Sequence, residues 1–296
     1  MPYLGELSAL LTSFCWSGSS FAFSSAANRI GSVQLNINRM LLAAVFLYLT
    51  ISFAGIKYSL SYYQIEYLVL SGAIGLVFGD TFLFKSYQHI GARISMLLMA
   101  TSPLMSALLA YLFLNETLSI WGITGIAVTI GGVALVIMEK SEIPSSGYKI
   151  SKIGIFYGLM GALGQAVGLI FAKYAFNTGV INGFVATFIR ILSAIIIMLP
   201  IIIFARRYKN PFKLFLNDAR AFTSMVTGTI LGPYLGITLS LIAIENAKVG
   251  IAATLMSTMP ITMLPISRYI FKEIINWRAI IGAVLAVAGV GILFLK

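Results

Sequence analysis

Apolar segments of about twenty residues alternate with short polar stretches along the whole chain. An α-helix needs roughly 20 mostly apolar residues to cross the hydrocarbon core of a bilayer. Five segments of this kind precede a polar linker at 139–152, and five follow it. They are 4–25, 35–55, 67–88, 93–114, 120–138, 153–174, 184–205, 222–244, 249–271 and 278–295. The pattern predicts an all-α integral membrane protein with ten transmembrane helices.

The second half of the sequence repeats the first. A shift of 157 residues places Thr101 on Thr258 and Pro103 on Pro260. The same shift, without a gap, aligns glycines in pairs: Gly75 with Gly232, Gly79 with Gly236, Gly125 with Gly282 and Gly132 with Gly289.

The number of segments in each half determines how the two copies would be oriented. Because five is an odd number of crossings, the second copy enters the membrane upside down relative to the first. We therefore predict two inverted five-helix repeats, at 1–138 and 153–296, joined by the linker 139–152. Such repeats bind substrates near the membrane midplane, where the halves meet, so we expect a central cavity.

The composition agrees with a lipid environment. Hydrophobic residues make up 59% of the chain and charged residues 10%, with a mean hydropathy of +0.96, whereas soluble domains carry roughly 25% charged residues. A single cysteine, Cys15, and a single histidine, His89, exclude an internal disulfide and a metal cluster built from these residue types. We expect neither a metal nor a cofactor.

Basic residues lie between the apolar segments and give the chain a net charge of +11. This placement favours contact with lipid headgroups over nucleic acid. Most of these residues lie in the odd-numbered connections, with the densest cluster at 206–220. The positive-inside rule then puts those connections in the cytoplasm and both termini outside. The first segment lacks a basic start, so we interpret it as a retained helix and not as a signal peptide.

An ordered set of motifs recurs in the two halves. An arginine lies early in the second segment of each half, at Arg39 and Arg190, and a Thr-x-Pro sequence lies at the centre of the fourth. A glutamate then precedes a fifth segment with spaced glycines, as Glu116, Gly125 and Gly132 and again as Glu273, Gly282 and Gly289. With these motifs, nearly the whole chain resembles the EamA-type transporters of the drug/metabolite transporter superfamily.

That resemblance has implications for fold and function. It implies ten helices around a central cavity, a place in the inner (plasma) membrane of bacteria, and the export of metabolites, amino acids or drugs. It also implies cytoplasmic termini, which is the opposite of what the loop charges indicate.

Polar residues on one face of the first segment are candidates for lining the cavity. Ser13, Ser17, Ser20 and Ser24 recur at helical spacing with Trp16 beside them. We expect Trp16 to stack on the substrate and Ser17 and Ser20 to contact it. The alternative is that the hydroxyl groups are only packing contacts between helices.

Two further polar residues lie inside apolar segments. When the first segment is aligned with the sixth by placing Gly5 on Gly154, Gln165 falls on Trp16, and it could contact either the substrate or a neighbouring backbone. Asp80 would cost roughly 2.5–3.5 kcal/mol to insert at the membrane centre, which indicates a cavity or a partner charge. It could bind a substrate amine or carry a proton, or it could form a structural ion pair with Arg39 or Lys85.

Arg39 and Arg190 occur at the same place in the two repeats. Each lies one to two turns into its segment, close enough to the membrane surface for the side chain to snorkel towards water. The alternative is that one or both bind an anionic group of the substrate.

Prolines in the predicted helices indicate breaks. A proline removes one backbone donor and frees the carbonyl four residues earlier, so the resulting kink could open a pocket and serve as a hinge, or it could be structural only. The candidate hinges are Pro103, Pro233 and Pro260, and the candidate substrate contacts beside them are Thr101, Tyr234 and Thr258.

Together these features favour a secondary transporter over an enzyme. The sequence has no G-x-x-x-x-G-K-[ST] nucleotide-binding motif, and it lacks the clustered catalytic side chains of an intramembrane enzyme. We predict export of small metabolites or amino acids by alternating access, by a monomer or a homodimer. The alternatives are proton-coupled drug efflux and a non-transporting membrane scaffold.

Overall fold

The computed structural model describes residues 3–56, 58–102, 104–106, 108–109, 119–138, 151–206, 208–246, 255–269, 272 and 275–293. Every regular element in these ranges is helical. Pro103, Glu116, Glu273 and linker residues 139–150 lie outside the described residues, so the predictions for them are not addressed by the structure.

The described part of the chain contains twelve α-helices and two π-helical segments, numbered here in chain order. The first half contains α1 (Leu4–Ile30), α2 (Ser32–Phe53), α3 (Tyr62–Ser71), π1 (Gly72–Gly79), α4 (Asp80–Met99) and α5 (Ile120–Met138). The second half contains α6 (Lys152–Asn177), α7 (Gly183–Phe204), α8 (Pro211–Asn217), α9 (Ala219–Thr229), π2 (Ile230–Gly236), α10 (Ile237–Asn246), α11 (Met259–Tyr269) and α12 (Trp277–Leu293).

Five helical runs in the described ranges are long and apolar enough to cross a membrane. They are Ser32–Phe53, Tyr62–Met99, Lys152–Asn177, Gly183–Phe204 and Ala219–Asn246. Two shorter apolar helices accompany them, Ile120–Val136 and Trp277–Ile292. The protein is therefore a multi-pass, all-helical membrane protein.

The helices of the first half are joined by very short turns. Gly31, with φ of 86°, separates α1 from α2, and Gly91, with φ of 74°, divides α4. Both angles lie in the region that glycine adopts without a steric penalty. The predicted third and fourth segments therefore form one continuous run that changes direction at Gly91.

The breaks associated with the Thr-x-Pro motifs have the same hydrogen bonds in both halves. The backbone turns at Ala100–Thr101 and again at Ser257–Thr258. Thr101 donates its hydroxyl to the carbonyl of Leu98 at 2.6 Å, and Thr258 donates to Leu255 at 2.7 Å. The backbone amide of each threonine also donates to the same carbonyl, at 3.0 Å for Leu98 and 3.2 Å for Leu255, so each break is closed by a pair of bonds to one oxygen.

The two π-helical segments also occupy matching places in the repeat. The 157-residue shift that aligns the glycines places π1 over π2, so that Gly79, which ends π1, matches Gly236, which ends π2. The residues that follow them directly are Asp80 and Ile237. A wide turn therefore precedes an acid in the first half and an apolar residue in the second.

The glycines of α5 and α12 bring these two helices into close contact. A Cβ atom added at Gly132 would lie 2.6 Å from the Ala286 nitrogen and 2.7 Å from the Gly282 oxygen. One added at Gly289 would lie 2.5 Å from the Thr129 nitrogen and 2.7 Å from the oxygen of Gly125, the residue that the shift aligns with Gly282. The contact is reciprocal, as in pairs related by a two-fold axis.

The remaining helices cross between the halves. The first helix of each half packs on the third run of the other: α1 lies against α9, π2 and α10, and α6 lies against α3, π1 and α4. The arginine-bearing helices α2 and α7 contact each other. Between these crossing pairs lies a cavity.

Candidate functional site

A cavity of about 490 Å³ lies between the two halves of the protein. Volumes of this order are typical of sites for small organic ligands. Its walls come from α1, α2, π1, α4, α6, α7, π2 and α10, together with residues around the Thr-x-Pro breaks. Its charged side chains among the described residues are Arg39, Asp80, Lys173 and Arg190.

Asp80 is held in place by two partners from opposite halves. Its Oδ2 atom forms an ion pair with the guanidinium of Arg39, and both side chains are buried. Its Oδ1 atom accepts a hydrogen bond of 2.7 Å from the Gln165 amide. A charge removed from water needs such partners, because an unpaired one costs several kcal/mol. The pairing alternative for Asp80 is therefore the one that the structure contains, with Arg39 as the partner.

Arg39 is itself supported from several sides. Its Nε and Nη2 atoms donate to Asn36 Oδ1 at 3.0 and 2.8 Å. Asn36 in turn donates to the Leu76 carbonyl at 3.1 Å, which ties α2 to π1. The guanidinium also lies over the rings of Phe84, at 4.8 Å, and Phe23, at 5.5 Å. These contacts surround the guanidinium on nearly every side and fix its orientation.

Arg190 is buried to the same degree but is not paired in this way. It is 2% exposed and lines the cavity, and its guanidinium has no hydrogen bond or ion pair within the described ranges. Gly75 provides the room beside it, because a Cβ there would lie 3.3 Å from Arg190 Nη2. The snorkelling interpretation was wrong for both arginines, since neither reaches the surface.

The rest of the lining is mostly apolar and includes flexible methionine side chains. Met99 and Met256, which match under the 157-residue shift, both line the cavity. Trp16, Phe84 and Tyr87 add aromatic surface. Methionine side chains adapt their shape to different neighbours, so the walls suit an apolar or aromatic part of a solute.

Of the sequence-predicted site residues, five come together in the cavity and the others do not. Trp16, Asp80, Gln165, Arg39 and Arg190 line it. The predicted contacts outside its walls are Ser17, Ser20, Thr101, Tyr234 and Thr258, and so are Pro233, Pro260 and Lys85.

The serine face of α1 packs against α11 and the turn before it. Ser13 and Thr258 hydroxyls lie 2.8 Å apart, and those of Ser17 and Thr262 lie 2.5 Å apart. Ser20 donates to the carbonyl of Ser17 at 2.8 Å. In this structure the hydroxyls of Ser13 and Ser17 join α1 to α11 and the turn before it, which is the packing alternative, whereas the Ser20 bond lies within α1.

The other predicted residues outside the cavity also have definite contacts. The Tyr234 hydroxyl lies 2.8 Å from that of Thr50. The Lys85 ammonium lies over the rings of Phe82 and Tyr157, at 5.3 and 5.5 Å. Pro260 lies in the first turn of α11, and Pro233 lies within π2.

Sequence analysis missed a polar series on α6. Lys173 and Asn177 lie further along the same helix as Gln165, and all three line the cavity. Lys173 and Asn177 are exposed. A search for polar residues in the last turns of this helix would have found them.

Contacts among the described residues distinguish the two ends of the helix bundle. Gln88 donates to the Ala27 carbonyl at 2.7 Å and Ser86 to the Gly154 carbonyl at 3.0 Å, so the end of α1 and the start of α6 lie beside Gly91. We call this the Gly91 end. Because α6 runs away from it, Asn177 lies at the opposite end, called the Asn177 end.

Polar contacts between the halves hold the Gly91 end together. Arg29 and Asp218 form an ion pair of 3.0 Å between the end of α1 and the residue before α9. Gln34 donates to the Lys209 carbonyl at 2.9 Å and accepts from the Lys209 amide at 3.0 Å. Among the described residues, the two halves are therefore joined at the Gly91 end, whereas the exposed lining residues Lys173 and Asn177 lie towards the Asn177 end.

Comparison with known proteins places the chain in a family. The profile of the EamA-like transporter family matches residues 3–138 and again residues 152–295. An uncharacterized transporter of Archaeoglobus fulgidus is 25% identical over 291 residues, covering 98% of this chain and 97% of that protein. A crystal structure of another protein, 15% identical, superposes with a TM-score of 0.68 over 98% of this chain and 96% of that one, which shows a shared fold. The chain belongs to the EamA-like transporter family and is a membrane transporter.

Proposed function

We propose that the protein is a secondary transporter that exports small metabolites or amino acids across the inner membrane by alternating access. The observation that carries this proposal is the cavity between the halves, which reaches from the Asn177 end to the buried Arg39–Asp80–Gln165 network. A solute there would touch side chains from both halves, so a movement of one half against the other would change its surroundings.

The proposed topology has ten crossings in two inverted five-helix repeats. Support comes from the reciprocal contact of α5 with α12, the matching π segments, and the identical hydrogen bonds of Thr101 and Thr258. The exchange of α1 and α6 between the halves fits the same two-fold relationship. Inverted repeats of this kind allow two states that open to opposite faces.

Closure at the Gly91 end would alternate with closure at the Asn177 end. The polar contacts that must separate for the Gly91 end to open are the Arg29–Asp218 pair and the bonds of Gln34 and Gln88, and water can replace each of these partners. Apolar contacts must separate as well, because Ala27 of α1 lies in one buried cluster with Ala221 and Met225 of α9. The proposed hinges are the breaks before Pro260 and, in the first half, at Ala100–Thr101.

We propose export as the direction of transport, and small metabolites or amino acids as the solutes, because of the family resemblance. Proton-coupled drug efflux is the second candidate, because Asp80 is an acid that lines the cavity. The ion pair with Arg39 favours an orienting role for that acid over proton carriage.

Flux in vesicles reconstituted with the purified full-length chain tests the proposal. We expect at least one labelled amino acid or small metabolite from a broad panel to exchange across the membrane faster than in protein-free vesicles. Gln165→Leu, which changes the cavity wall, should slow that flux, whereas Lys85→Gln, outside the cavity, should not. A protein that moves no member of the panel would be a scaffold, and the proposal would be wrong.

A further inference from the structure

The equivalent arginines of the two repeats have different hydrogen-bonding partners. In the first half, Arg39 has an acid and an amide as partners, Asp80 and Asn36. The 157-residue shift places Ile237 where Asp80 lies, and aligning Arg190 with Arg39 places Thr187 where Asn36 lies. Thr187 donates its hydroxyl to the carbonyl of Gly183 at 2.8 Å. The second half therefore contains the buried cation but neither of the two groups that pair with it in the first half.

An unsatisfied buried guanidinium costs stability. Removing a charge from water without a partner is unfavourable by several kcal/mol, whereas a hydrophobic or neutral replacement of similar volume is often neutral or stabilising. Arg190 nevertheless lies on the cavity wall, with open space beside it and Gly75 leaving room for its Nη2 atom. A group that enters the cavity can therefore supply the missing partner.

The charges of the lining specify the sign of that group. Among the described residues the cavity has three cations, Arg39, Lys173 and Arg190, against one acid, Asp80. Since Arg39 uses Asp80, one buried and one exposed positive charge remain on the path from the Asn177 end. A negative solute would pass Lys173 on its way to Arg190.

We infer that Arg190 anchors a carboxylate of the transported solute, with the solute's apolar or aromatic part against the methionine and aromatic walls. The inference rests on the proposed transport function and names the substrate class. A guanidinium presents two parallel N–H donors that match the two oxygens of a carboxylate. The single buried charge without a hydrogen-bonded partner fits a monocarboxylate, and Met256 and Trp16, which line the same cavity, suit an adaptable apolar contact.

Binding can be tested separately from transport. The melting temperature of the full-length protein, in nanodiscs of neutral phosphatidylcholine, is measured in the presence of matched pairs of probes. The pairs are propionate and propionamide, benzoate and benzamide, 3-phenylpropionate and its amide, and indole-3-acetate and its amide. We expect at least one carboxylate to raise the melting temperature in a concentration-dependent way while its amide does not. Lys85→Gln, a cation removed from outside the cavity, should keep the wild-type shift.

Two variants remove the proposed anchor in opposite ways. Arg190→Gln deletes the charge, and Ile237→Asp gives Arg190 an internal partner like the one that Arg39 has. Both should weaken binding of the stabilising carboxylate by about tenfold or more, the effect of losing a hydrogen bond to a charged group. Arg190→Gln should also melt no lower than the ligand-free wild type, since it removes an uncompensated charge, whereas a merely structural Arg190 predicts a lower melting temperature.

The inference would be overturned if no carboxylate of the panel stabilises the wild type, if the amides stabilise it equally, or if the shift survives in Arg190→Gln. Stabilisation by inorganic phosphate alone would also contradict the carboxylate assignment. If carboxylates bind through Arg190 but vesicles move none of them, the anion site stands and the proposed transport function fails. If vesicles move only neutral solutes, transport stands and the inference fails.

Discussion

Gln165 of the second half donates a hydrogen bond of 2.7 Å to Asp80 of the first half, at the bottom of the cavity. The contact joins α6 to the residue that follows π1. Since Asp80 also pairs with Arg39 on α2, one carboxylate connects three helices from both halves. Movement of the halves against each other must change this connection.

Replacing Gln165 with Met keeps an unbranched side chain of similar length and removes the donor to Asp80. We expect a loss of about 1.5–3 kcal/mol in the free energy of unfolding, the range for hydrogen bonds to charged groups. Denaturant unfolding in detergent measures it. Leu169→Met, one turn further along the same face, is the matched control and should change stability little. An unchanged stability in Gln165→Met would mean that the bond contributes nothing.

The Arg39–Asp80 pair should be strongly coupled. Arg39→Gln and Asp80→Asn each leave one buried charge without its partner, which typically costs about 3–5 kcal/mol. The double variant removes both charges and should be less destabilised than the sum of the two single variants. A double-mutant cycle of unfolding free energies measures the coupling, and additive effects would contradict a buried pair.

The contact between α5 and α12 predicts that replacing two neighbouring glycines with alanine has very different effects on stability. Gly132→Ala would put its Cβ 2.6 Å from the Ala286 nitrogen, so the helices must separate, at a cost of about 1–3 kcal/mol. Gly131→Ala meets nothing within 4 Å and should be neutral or slightly stabilising, because alanine favours the helix. Melting temperatures of the two variants compare them directly, and equal values would exclude the packing described.

Trp16 and Ser17 are neighbours in sequence but should behave differently. Ser17→Ala removes the contact with Thr262 and should cost about 0.6 kcal/mol of stability, an average value for hydrogen bonds between membrane helices, with KM unchanged. Trp16→Ala removes aromatic surface from the cavity wall and should raise KM about tenfold. Vesicle flux against solute concentration separates the two effects. A raised KM in Ser17→Ala would restore the serine face to the binding site.

The Arg29–Asp218 contact predicts a pH dependence at the Gly91 end. The backbone amide of Ala221 and, next, the Arg29 side chain hold the pKa of Asp218 below its usual value of 3.8. A lowered pKa means that the ionised form stabilises the folded protein above pH 3.8, and that this contribution is lost as the pH falls through the lowered pKa.

Asp218→Asn tests this pH dependence without losing the helix cap, because asparagine also caps helices well. The wild type should melt above the variant at neutral pH, and the two should converge in acid below the pKa. Arg29→Gln should show a smaller difference of the same sign. A gap that persists at the lowest pH would assign the effect to something other than the charge.

Some features of the fold and the site follow from the sequence, and others depend on contacts between distant helices. The repeat, the break near Pro260 and the places of Asp80, Gln165 and Trp16 in a cavity were indicated by spacing and residue type. The sequence left Arg39 and Lys85 as alternative partners of Asp80, and only the packing of α2 on the following run shows that Arg39, 41 residues away, is the partner. The roles of the serines likewise depended on which helix faced α1.

The difference between the two arginines was hidden for another reason. Alignment of the repeats matches Arg39 with Arg190 and thereby suggests one role for both. Only the side-chain contacts reveal that Ile237 and Thr187 replace the acid and the amide that satisfy Arg39.

The wide turns of π1 determine where the carboxylate of Asp80 points. A π-helical turn holds more residues than an α-helical one, and each residue of an α-helix advances the chain by about 100° around its axis. If the eight residues from Gly72 to Gly79 closed as an ordinary α-helix instead, each would advance the chain further around the axis, and Asp80 would be rotated by about the angle of one residue relative to everything before it. The acid would then leave the side that meets Arg39 and Gln165, although no residue of the trio had been replaced.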